Sequence, residues 1–429
     1  MKIIVVDDLF VFKFIYFHAD ILSLIMQNHY DIIIVGAGAS GFFAAINIAK
    51  KKPNLKIAIL EQSKKVLEKV KISGGGRCNV TNACSDPKEL IKNYPRGGKN
   101  LLNAFYTFNT THTIEWFEQH NIELKTEIDG RVFPKSNQSQ TIIDCFLTLA
   151  KQHNIEIITE QKVVGIKIND NSFELKTLNT QYSCQQLILA CSTNAIILKE
   201  LEQKNIQIEP CIPSLFSFNT KNLLFKELSG ITLQDCTAQI EQTKIKTEGN
   251  ILITHQGITG PCVLKLSAFG AKELGNKNYN CNIIINWINK TTNEASEYII
   301  DMKNISSKKK ISNTKAFELP NRFWINLLHV SNINIEKNWA DISKKEIQQL
   351  IENLTQFQLK INGKSTNKDE FVTAGGVCLS NIDLKTMQSK QYNKLFFTGE
   401  ILDIDGITGG FNFQARWTTA YLVAEHIAK

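Results

Sequence analysis

The residues Gly36-Ala37-Gly38-Ala39-Ser40-Gly41 have the types and spacing suited to holding a diphosphate. They follow the apolar run Asp31-Ile-Ile-Ile-Val35 and precede an apolar helical stretch, Phe42 to Ala49, so they read as the turn from a buried strand into a helix. In such a turn Gly36 permits the tight bend, Gly38 lets the backbone approach a pyrophosphate, and Gly41 lets the helix pack close to the sheet. Ala39 and Ser40 open the helix, whose free N–H groups and partial positive charge face the phosphates. A second apolar strand, Lys56 to Leu60, ends at Glu61, where a carboxylate accepts hydrogen bonds from ribose hydroxyls and disfavours a 2′-phosphate. A glycine cluster alone is weak evidence. Set between strand and helix, with an acid at this distance, it predicts a dinucleotide-binding β-α-β unit.

That unit does not separate FAD from NAD. The end of the chain does, by analogy with flavoproteins in which a late Thr-Gly-Glu turn approaches the flavin side of the dinucleotide. Thr398-Gly399-Glu400 and Asp403 would serve ribityl or pyrophosphate groups, and Gly409-Gly410-Phe411-Asn412 begins a helix whose N–H groups would stabilise negative charge on a reduced flavin. Between the two regions lies Lys71-Ile-Ser-Gly-Gly-Gly-Arg-Cys-Asn-Val-Thr-Asn82. Its three glycines allow the backbone close to a ring or phosphate, with the Arg77 guanidinium available for an anion; the alternative is a surface turn. No second Gly-x-Gly-x-x-Gly is present, so a nicotinamide reductant, NAD(P)H, would visit the flavin from an open cleft. Two residues are candidate proton donors. Cys78 follows Arg77 and competes with the reading of a buried unreactive thiol; His255 lies in a polar, turn-rich segment and competes with the reading of a packed structural histidine.

With these segments in view, the chain resembles the bacterial FAD flavoprotein family that includes BaiN-like, aminoacetone-oxidase-like and ribosomal-RNA dihydrouridine synthase-like proteins. The matching segments are 36–41, 71–82, Ile253-Thr-His-Gln-Gly-Ile-Thr-Gly-Pro261, Val372-Thr-Ala-Gly-Gly-Val377, Thr386 to Lys390 and Phe397 to Gln414, spanning the chain from Tyr30 onward. The resemblance implies an α/β fold: a discontinuous Rossmann-type FAD-binding domain with an inserted β-rich domain and a small helical domain. It maps flavin contacts onto Gly36, Gly38, Ser40, Gly41, Glu61, Gln62, Arg77, Val164, Gly399, Glu400, Asp403 and the 409–412 turn. It also implies an NAD(P)H-linked oxidoreductase that reduces an electron-poor C=C bond, with a uridine of large-subunit ribosomal RNA as the candidate substrate. A small-molecule amine oxidase or ene-reductase, and a non-catalytic flavin- or RNA-binding module, are the alternatives. Two segments depart from the family pattern. Leu189-Ala-Cys-Ser-Thr193 replaces an Ala-Thr-Gly turn, and Ala415, Arg416 and Ala420 stand where Trp, Ala and Gly are usual.

The elements that must position these residues follow from length and periodicity. At 429 residues the chain exceeds one ordinary core. The expected division is an N-terminal extension over 1–29, a first part of the FAD domain over 30–200, a β-rich insert over 201–316, a helical insert over 317–360 and the rest of the FAD domain over 361–429. Strands are expected at Ile155–Ile158, Val163–Ile168, Phe173–Thr177 and Gln186–Ala190, and helices at Thr113–His120 and Gln140–His153. Trp324, Leu327, Leu328, Ile347, Leu350 and Ile351 recur at helical spacing, which is the signature of core packing. With 43% hydrophobic and 21% charged residues the chain is neither disordered nor a membrane protein in composition. Leu9 to Met26 is apolar but broken by Lys13, His18 and Asp20, so the first 25 residues read as a mis-assigned start or dispensable extension rather than a signal or membrane span. The net charge of +8 is compatible with a polyanionic partner, while the lysine run 308–310 reads as a solvated loop. Ten scattered cysteines without C-x2-C pairs predict no metal site and reduced thiols, hence a cytoplasmic location.

Overall fold

The apolar run before Gly36 forms strand β1 (His29–Val35) in the computed structural model, which describes residues 28–222, 227–314, 316–365 and 372–429. The expectation that residues 1–25 are dispensable lies outside the described residues. Contacts divide the chain into two units: Ile212–Ala374, and the residues up to Cys211 together with Gly375–Lys429. The second of these is discontinuous, and the fold is α/β with a Rossmann-type core.

In the discontinuous unit, β1 passes through the Gly36–Gly38 turn into helix α1 (Ala39–Lys51) and on to β2 (Ile57–Leu60). Further strands are β3 (Glu156–Ile158), β4 (Val163–Ile168), β5 (Phe173–Thr177), β6 (Gln181–Leu189) and β7 (Leu395–Phe397). The parallel core runs in the order β7-β6-β1-β2-β3, and the β4–β5 hairpin joins it through β5 on β6. Ile32, Ile33 and Ile34 are fully buried, as in a parallel sheet covered on both faces. Helix α1 is buried along nearly all of its length, from Ala39 to Ala49, leaving Lys50 and Lys51 at the C-terminal end where cations complement the helix dipole. It packs against the closing helix α2 (Phe411–Ile427), with the Trp417 and Phe43 ring centroids 5.2 Å apart. The N- and C-terminal stretches that carry the glycine motifs are thus built on one scaffold.

The other unit holds a six-stranded antiparallel sheet in the order Phe218–Asn219, Gly257–Thr259, Lys246–Ile253, Thr232–Ile240, Asn280–Asn286 and Phe357–Asn362. Helices Pro261–Phe269 and Lys344–Thr355 pack against it, and helices Thr292–Ile305 and Asn321–Val330 pack on the latter. Thr291 with Glu294, and Ser343 with Glu346, close reciprocal capping boxes that start two of them. The helical stretch, expected as a domain of its own over 317–360, shares one core with the sheet: Trp287, Trp324, Trp339, Leu350 and Phe357 belong to a single buried cluster. Neither layer alone buries both of its faces, so the two are joined through their apolar sides.

Candidate active site

The turn between β1 and α1 is shaped by contacts that only glycine allows. Gly36 has φ +112°, and a Cβ there would lie 2.8 Å from Ala190 O and Cys191 N at the end of β6. A Cβ at Gly41 would lie 2.1 Å from Gly36 O, so α1 starts tight against the turn. Above Gly38 there is open space, with no atom within 4 Å of an added Cβ. The first turn of α1 has neither a side-chain cap nor an acidic residue, so its N–H groups and positive dipole end are offered to that space. Glu61, just past β2, turns back on the motif: one carboxylate oxygen accepts from Ala37 N at 2.9 Å, the other from Ser63 N and Ser63 Oγ at 2.9 Å each.

A cleft of about 370 Å³ opens here, lined by Gly36, Gly38, Ala39, Ser40, Glu61 and Gln62 of the expected site, and by Glu400 from the far end of the sequence. Cys191 and Ser192, in the segment that departs from the family pattern, also line it. Val164, Arg77, Gly399, Asp403 and the Gly409–Asn412 turn lie outside that lining. Val164 is skipped in the β4–β5 register, between the pairs Val163↔Thr177 and Gly165↔Lys176, which leaves a backbone irregularity beside Val163 of the cleft wall. Gly399 touches the cleft indirectly: a Cβ there would be 2.4 Å from Ser40 Oγ. Asp403 Oδ1 accepts from Gly375 N at 3.1 Å.

The 71–82 and 409–414 segments meet each other. The helical segment Glu68–Gly76 is interrupted at Ser73, after which Gly74 and Gly75 take left-handed backbone angles. Arg77 pairs with Glu127 at 2.7 Å and lies 3.9 Å over the Phe133 ring. Asn82 Nδ2 donates to Gly409 O at 2.9 Å, and Thr81 Oγ1 donates to Gln414 Oε1 at 2.6 Å. Thr113 Oγ1 donates to the same oxygen at 2.8 Å, and Trp417 Nε1 to Val80 O at 2.9 Å. Asn412 closes the turn on itself, accepting from Gly406 N at 2.9 Å and donating to Gly406 O at 2.7 Å. Cys78 is fully buried between these segments, and burial pushes its thiol up to about 12, only partly opposed by Ser73 and the Arg416 charge. His255 belongs to the other unit, exposed at the turn between Lys246–Ile253 and Gly257–Thr259.

Three residues of the cleft have no counterpart among the sequence-derived candidates. Lys69 Nζ pairs with Glu400 and donates to Ser192 Oγ at 2.9 Å; Ser192 Oγ donates to Glu400 Oε2 at 2.9 Å; Arg416 Nη2 donates to the same oxygen at 3.2 Å. Burial pushes the Glu400 carboxyl up, but Arg416, Lys69 and Ser192 more than offset this and hold it at about 2. The usable signal was Arg416 itself, a cation early in the closing helix where the family pattern has Ala. All ten cysteines are free thiols. Among the described residues no three His, Cys, Asp or Glu side chains gather as metal ligands, and no helix is long and apolar enough to cross a membrane.

Fold and cleft define a Rossmann-type dinucleotide-binding protein. Residues 30–426 match the family model described as "HI0933-like protein Rossmann domain", and the chain belongs to that family; it is an enzyme of the FAD-dependent oxidoreductase class. It is 26% identical over 418 residues to a ribosomal RNA dihydrouridine synthase of Escherichia coli (strain K12), covering 94% of this chain and 98% of that one. A protein of the same description from Haemophilus influenzae is 27% identical over 422 residues, 94% and 100% of the two chains. A 3-dehydro-bile acid delta(4,6)-reductase of Clostridium scindens is 26% identical over 411 residues, 92% and 98%.

Proposed function

We propose that the chain is an NAD(P)H-dependent flavoenzyme that saturates an electron-poor C=C bond, with a uridine of large-subunit ribosomal RNA as its substrate. The observation that carries this reading is the shared chemistry of the near-full-length relatives. A dihydrouridine is a uridine whose C5=C6 bond has been reduced, and a delta(4,6)-reductase by its name reduces ring double bonds. That shared step is reduction of C=C, which favours a reductase over an amine oxidase.

The cleft fits FAD on its own geometry: an uncapped helix start for the diphosphate, open space over Gly38, and Glu61 at the end of β2 for the adenosine ribose. FAD, when bound, supplies two-electron chemistry that lets a nicotinamide hydride reach a polarised double bond. The protein's part is to hold the diphosphate at Gly36–Gly41, the ribose at Glu61 and the flavin side at Glu400 and the 409–412 turn, and to keep a proton donor beside the reacting carbon. Cys78 Sγ and His255 remain the candidate donors. The Cys78 thiol stays protonated at neutral pH but is sealed from solvent, whereas His255 is exposed. RNA would dock through phosphate contacts on a chain of net charge +8, its target base leaving the stack to react, so activity should fall as salt rises.

The test is to digest ribosomal RNA from cells with and without the gene and quantify nucleosides by mass spectrometry. Loss of one dihydrouridine, restored from a plasmid, supports the RNA substrate; an unchanged profile removes it. The Clostridium scindens relative, at an identity equal to that of the Escherichia coli one, favours a second reading in which the substrate is a small conjugated enone. Turnover of such an enone with an unchanged RNA profile would select it.

A further inference from the structure

Glu400 Oε2 receives Lys69 Nζ, Ser192 Oγ and Arg416 Nη2, two of them cations, on a single oxygen. One cation suffices to neutralise one carboxylate, so the second carries donors beyond what Glu400 uses. A guanidinium has five N–H donors in a planar fork, and the Nη2 contact to Glu400 occupies one of them. The Arg416 side chain is only 13% exposed, lies 5.0 Å from the Phe413 ring centroid and lines the same cleft as the start of α1. Its stem stands beside that helix start: a Cβ at Gly399 would lie 2.4 Å from Ser40 Oγ and 3.6 Å from Arg416 Cγ.

We infer that Arg416 is a diphosphate-binding residue of this cleft, held in place by Glu400 and facing the same phosphate oxygens as the α1 N–H groups. The inference rests on the reading of the cleft as the FAD site. Physically, a guanidinium forms paired, charge-assisted hydrogen bonds to phosphate oxygens, and one already fixed by a carboxylate gives up less side-chain freedom on binding. The low pKa of Glu400 is consistent with this, because a permanently ionised partner keeps the fork oriented across the neutral range. The α1 start contributes backbone donors and a partial charge; Arg416 adds a full charge from the opposite end of the sequence.

The experiment is calorimetric titration of the flavin-free full-length protein with FAD, ADP-ribose and adenosine. The first two carry a diphosphate and the third does not. Arg416→Ala should weaken FAD and ADP-ribose each by about 10- to 100-fold, the range for a charged hydrogen bond, and leave adenosine unchanged. Arg416→Lys should recover part of the loss. If Arg416→Ala fails to fold, Arg416→Gln, which keeps the length and a donor to Glu400 without the charge, is read in the same way. Equal affinity for FAD in wild type and variant, or an equal loss for adenosine, overturns the assignment while leaving the FAD reading intact. Wild-type protein that binds ADP-ribose but no FAD overturns the FAD reading instead, and the Arg416 effect on ADP-ribose still decides this assignment.

Discussion

Glu61 uses its two carboxylate oxygens on opposite sides of the turn, one on Ala37 N and the other on Ser63, so it both closes the glycine motif and presents negative charge to the cleft. Glu61→Ala should therefore loosen FAD by roughly 1.5–3 kcal/mol, checked by titrating the flavin-free protein; unchanged affinity would mean that the adenosine binds elsewhere. Glu400 carries a pH signature. Its folded pKa of about 2 lies below its ordinary value of 4.5, so its stabilising effect is fully present above about pH 5 and is lost as pH falls toward 2. In thermal melts from pH 6 to pH 2, Glu400→Gln should show a shallower acid limb than wild type, and identical limbs would contradict the network drawn around Oε2. Glu61 was legible in the sequence because its distance from a local motif is fixed by one β-α-β unit. Lys69, Ser192 and Arg416 were not, since they come from separate segments of the chain that only the tertiary fold brings to one oxygen.

At the scale of elements, the start of α2 is locked onto the short strand Thr81–Asn82. Gly410 has φ +94°, and a Cβ there would lie 2.2 Å from Thr81 O, so Gly410→Ala should cost roughly 1–3 kcal/mol in backbone strain beyond the clash itself. Gln414→Leu should cost on the order of 1–3 kcal/mol, because Thr81 and Thr113 would lose their shared buried acceptor. Urea unfolding of both variants checks these values, and stability equal to wild type would show that the turn is not anchored as described. Of the strands expected over 155–190, Val163–Ile168 and Phe173–Thr177 have the expected bounds and the first starts one residue late at Glu156, since their apolar patterns are local; the last begins at Gln181, five residues before the expected Gln186, and ends at Leu189. Arg77 shows the limit of such reasoning. The glycine run reads as a loop with the Arg77 guanidinium available for an anion, whereas Arg77 is engaged by Glu127 and Phe133, from segments more than forty residues on, which no local pattern encodes. Likewise, the periodicity of Trp324 to Leu328 and Ile347 to Ile351 gave the helices of the inserted unit but not the core they share with its sheet.

For the whole molecule, the two candidate proton donors lie in different units, Cys78 in the discontinuous one and His255 in Ile212–Ala374. Cys78→Ala and His255→Gln separate these candidates, since removing the true donor should slow the oxidative half-reaction with substrate at least 100-fold while leaving reduction by NAD(P)H near its wild-type rate. The most direct test of the central claim is an anaerobic stopped-flow experiment on the FAD-loaded protein, following flavin absorbance in two mixes. NADH or NADPH should bleach the flavin in the first. In the second, unmodified large-subunit ribosomal RNA should restore the oxidised spectrum, with dihydrouridine formed in proportion to the flavin reoxidised. Bleaching by an amine but by neither nicotinamide, or reduced flavin that no RNA or conjugated enone reoxidises, would contradict the account.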